Sequence, residues 1–184
     1  MKKVYNITIT LLTPLHINAG TGADSRRVFV KTGSKPYIPA TLLKGIMRSS
    51  TEQLIRSLYP DYVCSGKDNA DSDCSCILCT LFGKSGFKPS RIVLDNLLTD
   101  SSAAPQLRTN LGLNRFTRRA QNKNLVSSEV AAAGTVFRGQ MTVYYTDALK
   151  KYEPLLISVL ENIDSIGSAK SRGLGLVKTE VCAL

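Results

Sequence analysis

The hydrophobic period of the chain changes near residue 40, and this change limits the possible folds more than any other feature. Apolar residues first alternate with polar ones, as in a strand with one buried face: Tyr5, Ile7, Ile9 and Leu11. After Thr41, a plausible N-cap, the apolar residues follow a helical stripe: Leu43, Ile46, Met47, Leu54 and Leu58. A chain that uses both periods is predicted to be α+β.

The rest of the pattern predicts how these elements are arranged. A second helix is predicted to begin at Pro154, with a core face made of Leu156, Val159, Leu160 and Ile163. Further strands are predicted over residues 27–31, 91–98, 137–145 and 174–181. This order favours an antiparallel sheet with helices on one face, in a ferredoxin-like or RNA-recognition-motif-like topology. The 184 residues fit a single domain spanning 1–184.

The charge of the chain favours a polyanionic partner. Lys and Arg number 24 against 14 Asp and Glu, which gives a formal net charge of +10. Nucleic acid is the polyanion that such a surface most often binds, although many basic proteins bind none specifically. No apolar run reaches the length of about 20 residues that spans a bilayer, so we expect a cytoplasmic protein.

Two segments could hold an anion. The glycine-rich stretch 166–175 carries Gly167, Lys170, Ser171, Arg172 and Gly173, whose backbone amides and cations suit phosphate oxygens. The helix that follows Pro39 presents Lys44 and Arg48 near its start, where the helix dipole also favours an anion. We expect the two segments to form one cradle for a ribose-phosphate chain. Taken singly, each also fits a plain structural role, as a tight turn or as a solvated helix face.

Four cysteines lie close together in the segment 60–90: Cys64, Cys74, Cys76 and Cys79. In a reducing compartment, thiolates at this spacing fit a structural zinc ion that closes an otherwise irregular insertion. The single residue between Cys74 and Cys76 is unusual, and disulfides or free thiols are the alternatives. The fifth cysteine, Cys182, is predicted to be a buried and inert thiol.

Several motifs together, in this order, resemble the RAMP superfamily (repeat-associated mysterious proteins). Residues 36–48 resemble its proline-bounded Leu-Lys-Gly-x-x-Arg helix start, and residues 167–175 resemble its glycine-rich loop with a Ser-Arg-Gly-x-Gly core. Between them, Leu81-Phe82-Gly83 with the following strand, and residues 114–117 with 129–137, are similar to further family segments. The resemblance covers nearly the whole chain. The nearest subgroup is the repeated backbone subunit of type III CRISPR effector complexes.

This resemblance implies a modified ferredoxin-like domain that binds the CRISPR guide RNA and, through it, target RNA. Copies of the chain would stack along the guide beside other effector subunits. The acid-free stretch 101–128 predicts a projecting arm over 105–130, and the resemblance implies that its residues 107–126 form a thumb. Arg115, Arg118 and Arg119 would then hold phosphates. The apolar residues Leu111, Leu113 and Phe116 would either wedge against a base step or anchor the arm to its own core.

The resemblance also implies a catalytic role for Asp24, which follows the first strand where related subunits carry an aspartate for metal-dependent RNA cleavage. A carboxylate there could hold a divalent cation such as Mg²⁺ beside the phosphate, or could simply cap a turn. Three other functions stay open: a non-cutting structural subunit, a repeat-processing endoribonuclease that uses His16, and a zinc-containing RNA-binding protein unrelated to CRISPR.

Overall fold

The alternating N-terminal segment is a long central strand of an antiparallel sheet. The computed structural model describes residues 1–22, 26–58, 63–64, 74, 76–84, 88–100 and 104–184, except for the side chains of 122–124. The elements in chain order are β1 (Lys2–Leu11), β2 (Asn18–Thr21), β3 (Arg27–Phe29), β4 (Lys31–Thr32), β5 (Lys35–Ile38), α1 (Ala40–Leu58), α2 (Ile77–Phe82), β6 (Ile92–Leu94), β7 (Leu97–Thr99), β8 (Gln106–Leu113), β9 (Ala120–Val130), β10 (Val136–Tyr144), α3 (Asp147–Lys150), α4 (Glu153–Glu161) and β11 (Val177–Ala183).

The main sheet has the order β11-β1-β10-β7-β5-β4, and β6 also pairs with β10. If β6 and β7 are taken as one interrupted strand, the core reads β-α-β-β-α-β with its strands in the order fourth, first, third and second. This is the ferredoxin-like arrangement, and the predicted α+β class is therefore confirmed. The odd residues of β1 from Tyr5 to Leu11 are at most 1% exposed, and they share one core cluster with apolar residues of α1 and α4.

The second predicted helix is present as α4, and its predicted core residues are all buried. The buried stripe of α1 differs from the prediction, because it consists of Leu43, Met47, Thr51 and Ile55. Leu54 and Leu58 are exposed instead. Thr51 can occupy a core position because its hydroxyl donates to the carbonyl of Met47 in the preceding turn, at 2.7 Å.

The prediction of Thr41 as the N-cap of α1 is wrong. The helix begins at Ala40, and the amides of Leu42 and Leu43 already donate to the carbonyl of Pro39. The amide of Ala40 donates to the side-chain Oδ1 of Asn96 at 2.9 Å. Asn96 lies in the two-residue break between β6 and β7, which divides the predicted strand 91–98 in two. The same break provides the side chain that accepts from a free amide at the start of α1.

A second sheet, of order β2-β3-β9-β8, carries the predicted arm. β8 and β9 form an antiparallel hairpin, and β3 joins it through a parallel pairing of Arg27 with Ser128. The loop at the far end is closed by Asn114, whose Oδ1 accepts from the amides of Phe116 and Thr117. Such a side-chain-closed turn suits a short loop between two strands.

Two further observations concern the chain as a whole. Among the described residues, no helix combines the length and the apolar character needed to cross a membrane. The prediction that Cys182 is buried is wrong, because it is exposed on β11. The even residues of this strand face away from the core, and Cys182 is one of them.

Candidate nucleic-acid interface

The four clustered cysteines come together around one point. Their Sγ atoms all lie within 4.8 Å of one another. The separations between Cys64 and Cys79 and between Cys76 and Cys64 are both 3.6 Å. Four sulfurs at about 2.3 Å from a tetrahedral zinc ion are separated by about 3.8 Å, so this arrangement fits a tetrathiolate site. The cluster supports the predicted structural zinc ion.

Burial and mutual hydrogen bonds shift the pKa values of two of these thiols. Burial raises the pKa of the Cys79 thiol to about 12, with further contributions from the sulfurs of Cys64 and Cys76. Burial acts in the same direction on Cys76, but backbone hydrogen bonds at Cys64 and Cys79 prevail and lower its pKa to about 7. The shifts of these two neighbouring thiols are therefore opposite in direction. A metal ion binds cysteine as the thiolate, so metal binding at the cluster would release protons.

Cations of α1 and of the insertion bind backbone carbonyls around this cluster. Arg56 donates through Nη2 to the carbonyl of Cys64 at 2.9 Å, and Lys88 donates through Nζ to that of Cys74 at 3.5 Å. Arg48 donates to the carbonyl of Gly83 at 2.8 Å, directly after α2. The basic face of α1 thus holds the cysteine-bearing insertion to the domain.

Lys44 also points toward protein backbone. Its Nζ donates to the carbonyl of Ile92 at 3.1 Å, and partial burial, with the positive charge of Arg48, lowers its pKa. The strand that precedes α1 and the strand that follows the glycine-rich loop, β5 and β11, are four places apart in the sheet. At about 4.8 Å per strand this is about 19 Å. The described hydrogen bonds do not join the two segments, and a role of Lys44 and Arg48 in RNA binding stays a prediction.

The glycine-rich loop packs against the segment that follows β1. The amides of Ser168 and Gly175 donate to the carbonyls of His16 and Pro14, each at 2.9 Å. Gly167 has a φ of +82°, and a Cβ at that position would collide with the carbonyl of His16. Gly175 is enclosed in the same way by the carbonyl of Ile166. These two glycines serve close packing, while Lys170, Ser171, Arg172 and Gly173 stay exposed beyond it.

A cleft of about 170 Å³ opens where this loop meets the base of the arm. Three guanidinium groups from distant parts of the chain line it: Arg27 from β3, Arg108 from β8 and Arg172 from the glycine-rich loop. Among the described residues, no acidic side chain lines it, and its other polar side chains include Asn110, Ser128, Ser168 and His16. Such a lining suits the phosphates and sugars of a nucleic acid.

His16 is one of the residues that line this cleft. Its side chain is 2% exposed, its ring meets that of Phe29 edge to face, and its Nδ1 lies 2.6 Å from the carbonyl oxygen of Glu129. A carbonyl only accepts, so Nδ1 carries the proton. Nε2 is buried and has no hydrogen-bond partner among the residues described.

The arm contributes both polar and apolar side chains to the cleft. Arg108 and Asn110 of β8 pair with Ser128 and Val126 of β9, and all four line the cleft. Leu111 lines it too and pairs with Leu125, and these two residues are 62% and 60% exposed. The arm therefore offers the cleft a cation and an amide next to exposed apolar surface.

The tip of the arm is fully accessible. Phe116 is 97% exposed, Leu113 is 63% exposed, and Arg115, Arg118 and Arg119 are exposed around them. The alternative that Leu111, Leu113 and Phe116 anchor the arm to the chain's own core is therefore wrong. A large exposed aromatic residue next to cations is suited to contact nucleic acid bases.

Asp24, predicted to be catalytic, lies outside the described residues. The residues on either side of it are joined, since the amide of Gly22 donates to the carbonyl of Arg26 at 2.8 Å. Arg27, three positions after Asp24, lines the cleft. Sequence reasoning did not assign a role in the site to Arg27 or Asn110. The alternation of side chains along β8 could have indicated that Asn110 shares a face with Arg108. No local sequence pattern indicates that Arg27 lies on the cleft.

Comparison with known proteins identifies the family of this chain. No curated protein matches the chain significantly. The profile of the RAMP superfamily matches residues 8–178, a range that includes the end of β1, the cysteine cluster, the arm and the glycine-rich loop. Family membership rules out the alternative of a zinc-containing protein unrelated to CRISPR. The chain therefore belongs to the RAMP superfamily, and this membership implies a CRISPR-associated RNA-binding protein.

Proposed function

We propose that the chain is the repeated backbone subunit of a type III CRISPR effector complex, and that it binds guide RNA and cleaves the paired target RNA. The main support for this proposal is the structure of the arm. It places Arg108 and Asn110 on the cleft and exposes Phe116 and three arginines at its tip. A structure of this kind can follow a ribose-phosphate chain and interrupt a base stack without reading a sequence. Sequence choice is left to guide pairing.

The cleft and the arm have separate tasks in this proposal. Arg27, Arg108 and Arg172 hold phosphates of the RNA, and Phe116 with Leu113 separates neighbouring base pairs of the guide–target duplex. A distorted duplex step places the 2′-hydroxyl of a target nucleotide in line with its adjacent 3′-phosphate. The 2′-oxygen loses its proton to solvent and attacks phosphorus, and the bond to the 5′-oxygen of the next nucleotide breaks. The products are a 2′,3′-cyclic phosphate and a 5′-hydroxyl that has taken up a proton. We propose that residues 1–184 form one RAMP domain. Within it, residues 60–90 are a zinc-binding insertion and residues 105–130 are the thumb.

Asp24 would take part in the cleavage step by holding a divalent cation such as Mg²⁺. That cation would supply positive charge beside the phosphorane. The ribose 2′-hydroxyl provides the nucleophile, so the protein contributes alignment and charge rather than a nucleophile of its own. The position of Arg27 on the cleft supports this role, because Asp24 precedes it by three residues.

The test is an Asp24→Ala variant in the assembled effector complex. We expect metal-dependent cleavage of target RNA to be abolished while guide RNA stays bound. The matched control is Asp164→Asn, an exposed aspartate between α4 and β11, which should cleave normally. Unchanged cleavage by the Asp24→Ala complex would remove this residue from the mechanism.

A further inference from the structure

Resting on the proposed RNA binding, we propose that His16 makes the cleft specific for RNA over DNA by accepting a hydrogen bond from a ribose 2′-hydroxyl. The observation behind this is the free nitrogen on its ring. Among the described residues Nε2 is buried without a partner, although leaving a buried acceptor without a hydrogen bond is destabilising. Such a group is retained where a ligand completes it.

The ring is held in one orientation for this purpose. Nδ1 donates to the carbonyl of Glu129 at 2.6 Å, which fixes the tautomer and leaves the lone pair on Nε2. The side chain of Glu129 is in turn fixed by Lys31 at 2.9 Å and by the amide of Phe29 at 3.0 Å. The backbone of His16 is held by Ser168 of the glycine-rich loop. Three separate segments therefore position one imidazole.

Because His16 lines the cleft, a donor that enters the cleft can become the partner of Nε2. The guanidinium groups of Arg27, Arg108 and Arg172 line the same cleft, and they attract phosphates. In RNA, the 2′-hydroxyl is attached next to the carbon that carries the 3′-phosphate, so a site that holds this phosphate has the hydroxyl within reach. DNA offers the same phosphates and no donor at that position.

The nitrogen is closed to bulk solvent in the free chain. The cleft beside it is bordered by long side chains, of which Arg172 is exposed and Arg108 is half-buried. Nucleotide binding moves these guanidinium groups onto phosphate oxygens and opens Nε2 to the hydroxyl. The phosphates then provide affinity and the imidazole provides the choice of sugar.

The experiment compares three single strands of one sequence on the full chain: RNA, DNA and RNA with 2′-fluoro sugars. Fluorine keeps the RNA sugar pucker and donates no proton, so it separates the hydroxyl from the shape of the strand. We expect the unmodified chain to bind RNA about two- to tenfold more tightly than either other strand, as one hydrogen bond allows. Equal affinity for RNA and 2′-fluoro RNA would overturn the proposal without the use of any variant.

A matched pair of variants tests the residue. His16→Asn keeps a donor where Nδ1 was and removes the acceptor, whereas His16→Gln can place its amide oxygen near the position of Nε2. We expect His16→Asn to lose the preference for RNA while its affinity for DNA is unchanged, and His16→Gln to retain part of the preference. A uniform loss for all three strands would mean that His16 serves folding or phosphate binding, and the proposal would fail.

The outcomes also distinguish this inference from the function on which it rests. A chain that binds no RNA contradicts the proposed RNA-binding function itself. A chain that binds RNA and DNA equally contradicts only the role of His16. If His16→Asn binds RNA normally but its complex no longer cleaves, His16 belongs to the cleavage reaction, and the sugar-selection proposal is overturned.

Discussion

At the scale of single residues, this protein connects its elements through half-buried polar side chains. Tyr5 of β1 donates to Glu153 at 2.7 Å, and Lys3 donates to the same carboxylate at 2.6 and 2.7 Å. Tyr145 lies 3.2 Å from the hydroxyl of Tyr5, and burial raises the pKa of both tyrosines. One carboxylate at the start of α4 therefore joins this helix to the central strand.

This carboxylate predicts a pH dependence of stability. Hydrogen bonds from Lys3 and Tyr5 hold the pKa of Glu153 below its ordinary value of 4.5. A depressed folded-state pKa contributes stability that is present above the unfolded-state value and is lost as pH falls through the folded-state value. We expect the urea unfolding free energy of Glu153→Gln to fall less between pH 5 and pH 3 than that of the unmodified chain.

The exposed Glu161 at the other end of the same helix provides the control. Glu161→Gln should reproduce the pH profile of the unmodified chain. If Glu153→Gln had the same acid sensitivity as the unmodified chain, the network with Lys3 and Tyr5 would not contribute to stability.

At the scale of elements, α1 connects the core to the cysteine-bearing insertion. Its apolar stripe packs into the core, and its basic face donates to the carbonyls of Cys64, Gly83 and Ile92. Gly83 has a φ of +82°, and a Cβ there would lie 2.8 Å from the carbonyl of Lys88, so the chain turns back tightly after α2. The insertion is thus attached at several points besides its thiols.

Metal removal should act mainly on this insertion. Elemental analysis should find one zinc ion per chain. A chelator should lower the free energy of unfolding by about 2–3 kcal/mol. At about 2–4 °C per kcal/mol, this corresponds to a fall of about 5–10 °C in the melting temperature. The β1-β10-β11 part of the sheet should stay folded, because no cysteine ligand lies in it. Cys76→Ser should reproduce the effect and the exposed Cys182→Ser should not. A metal-free chain with an unchanged melting temperature would refute the zinc site.

Local patterns in the sequence predicted most of the elements and the cysteine cluster. The alternation in β1, the stripe of α4 and the short cysteine spacing are all local signals. The stripe of α1 was misplaced because Thr51 is polar and becomes a core residue only by bonding its own helix. The cap from Asn96 and the role of Arg27 depend on which strands pair, and local periodicity carries no information about pairing.

At the scale of the whole molecule, the basic surface is divided between a cleft and the tip of an arm. The three arginines of the cleft have no acidic partner among the residues in view, whereas Arg138 pairs with Asp100 at 3.0 Å and Arg56 with Glu52 at 2.9 Å. The cations behind the net charge of +10 therefore differ in how freely they can bind an anion. Unpaired cations are the ones that can release counterions from RNA.

The salt dependence of RNA binding should report on this division. Each phosphate contact on a single strand contributes a slope of about 0.7 in log affinity against log salt, so replacing Arg27, Arg108 and Arg172 with alanine should lower the slope by about 2. Filter binding or fluorescence anisotropy at several salt concentrations measures it. Arg138→Ala, which removes an already paired cation, should leave the slope unchanged. An unaltered slope in the triple variant would place the phosphates elsewhere.

The cleft brings together residues 27, 108 and 172, which are separated by most of the chain. It exists only when β3, the arm and the glycine-rich loop have all reached their final positions. RNA that occupies the cleft therefore binds the native state in preference to the unfolded one and shifts the unfolding equilibrium toward the native state. Bound guide RNA should therefore raise the melting temperature of each subunit and slow its digestion by proteases.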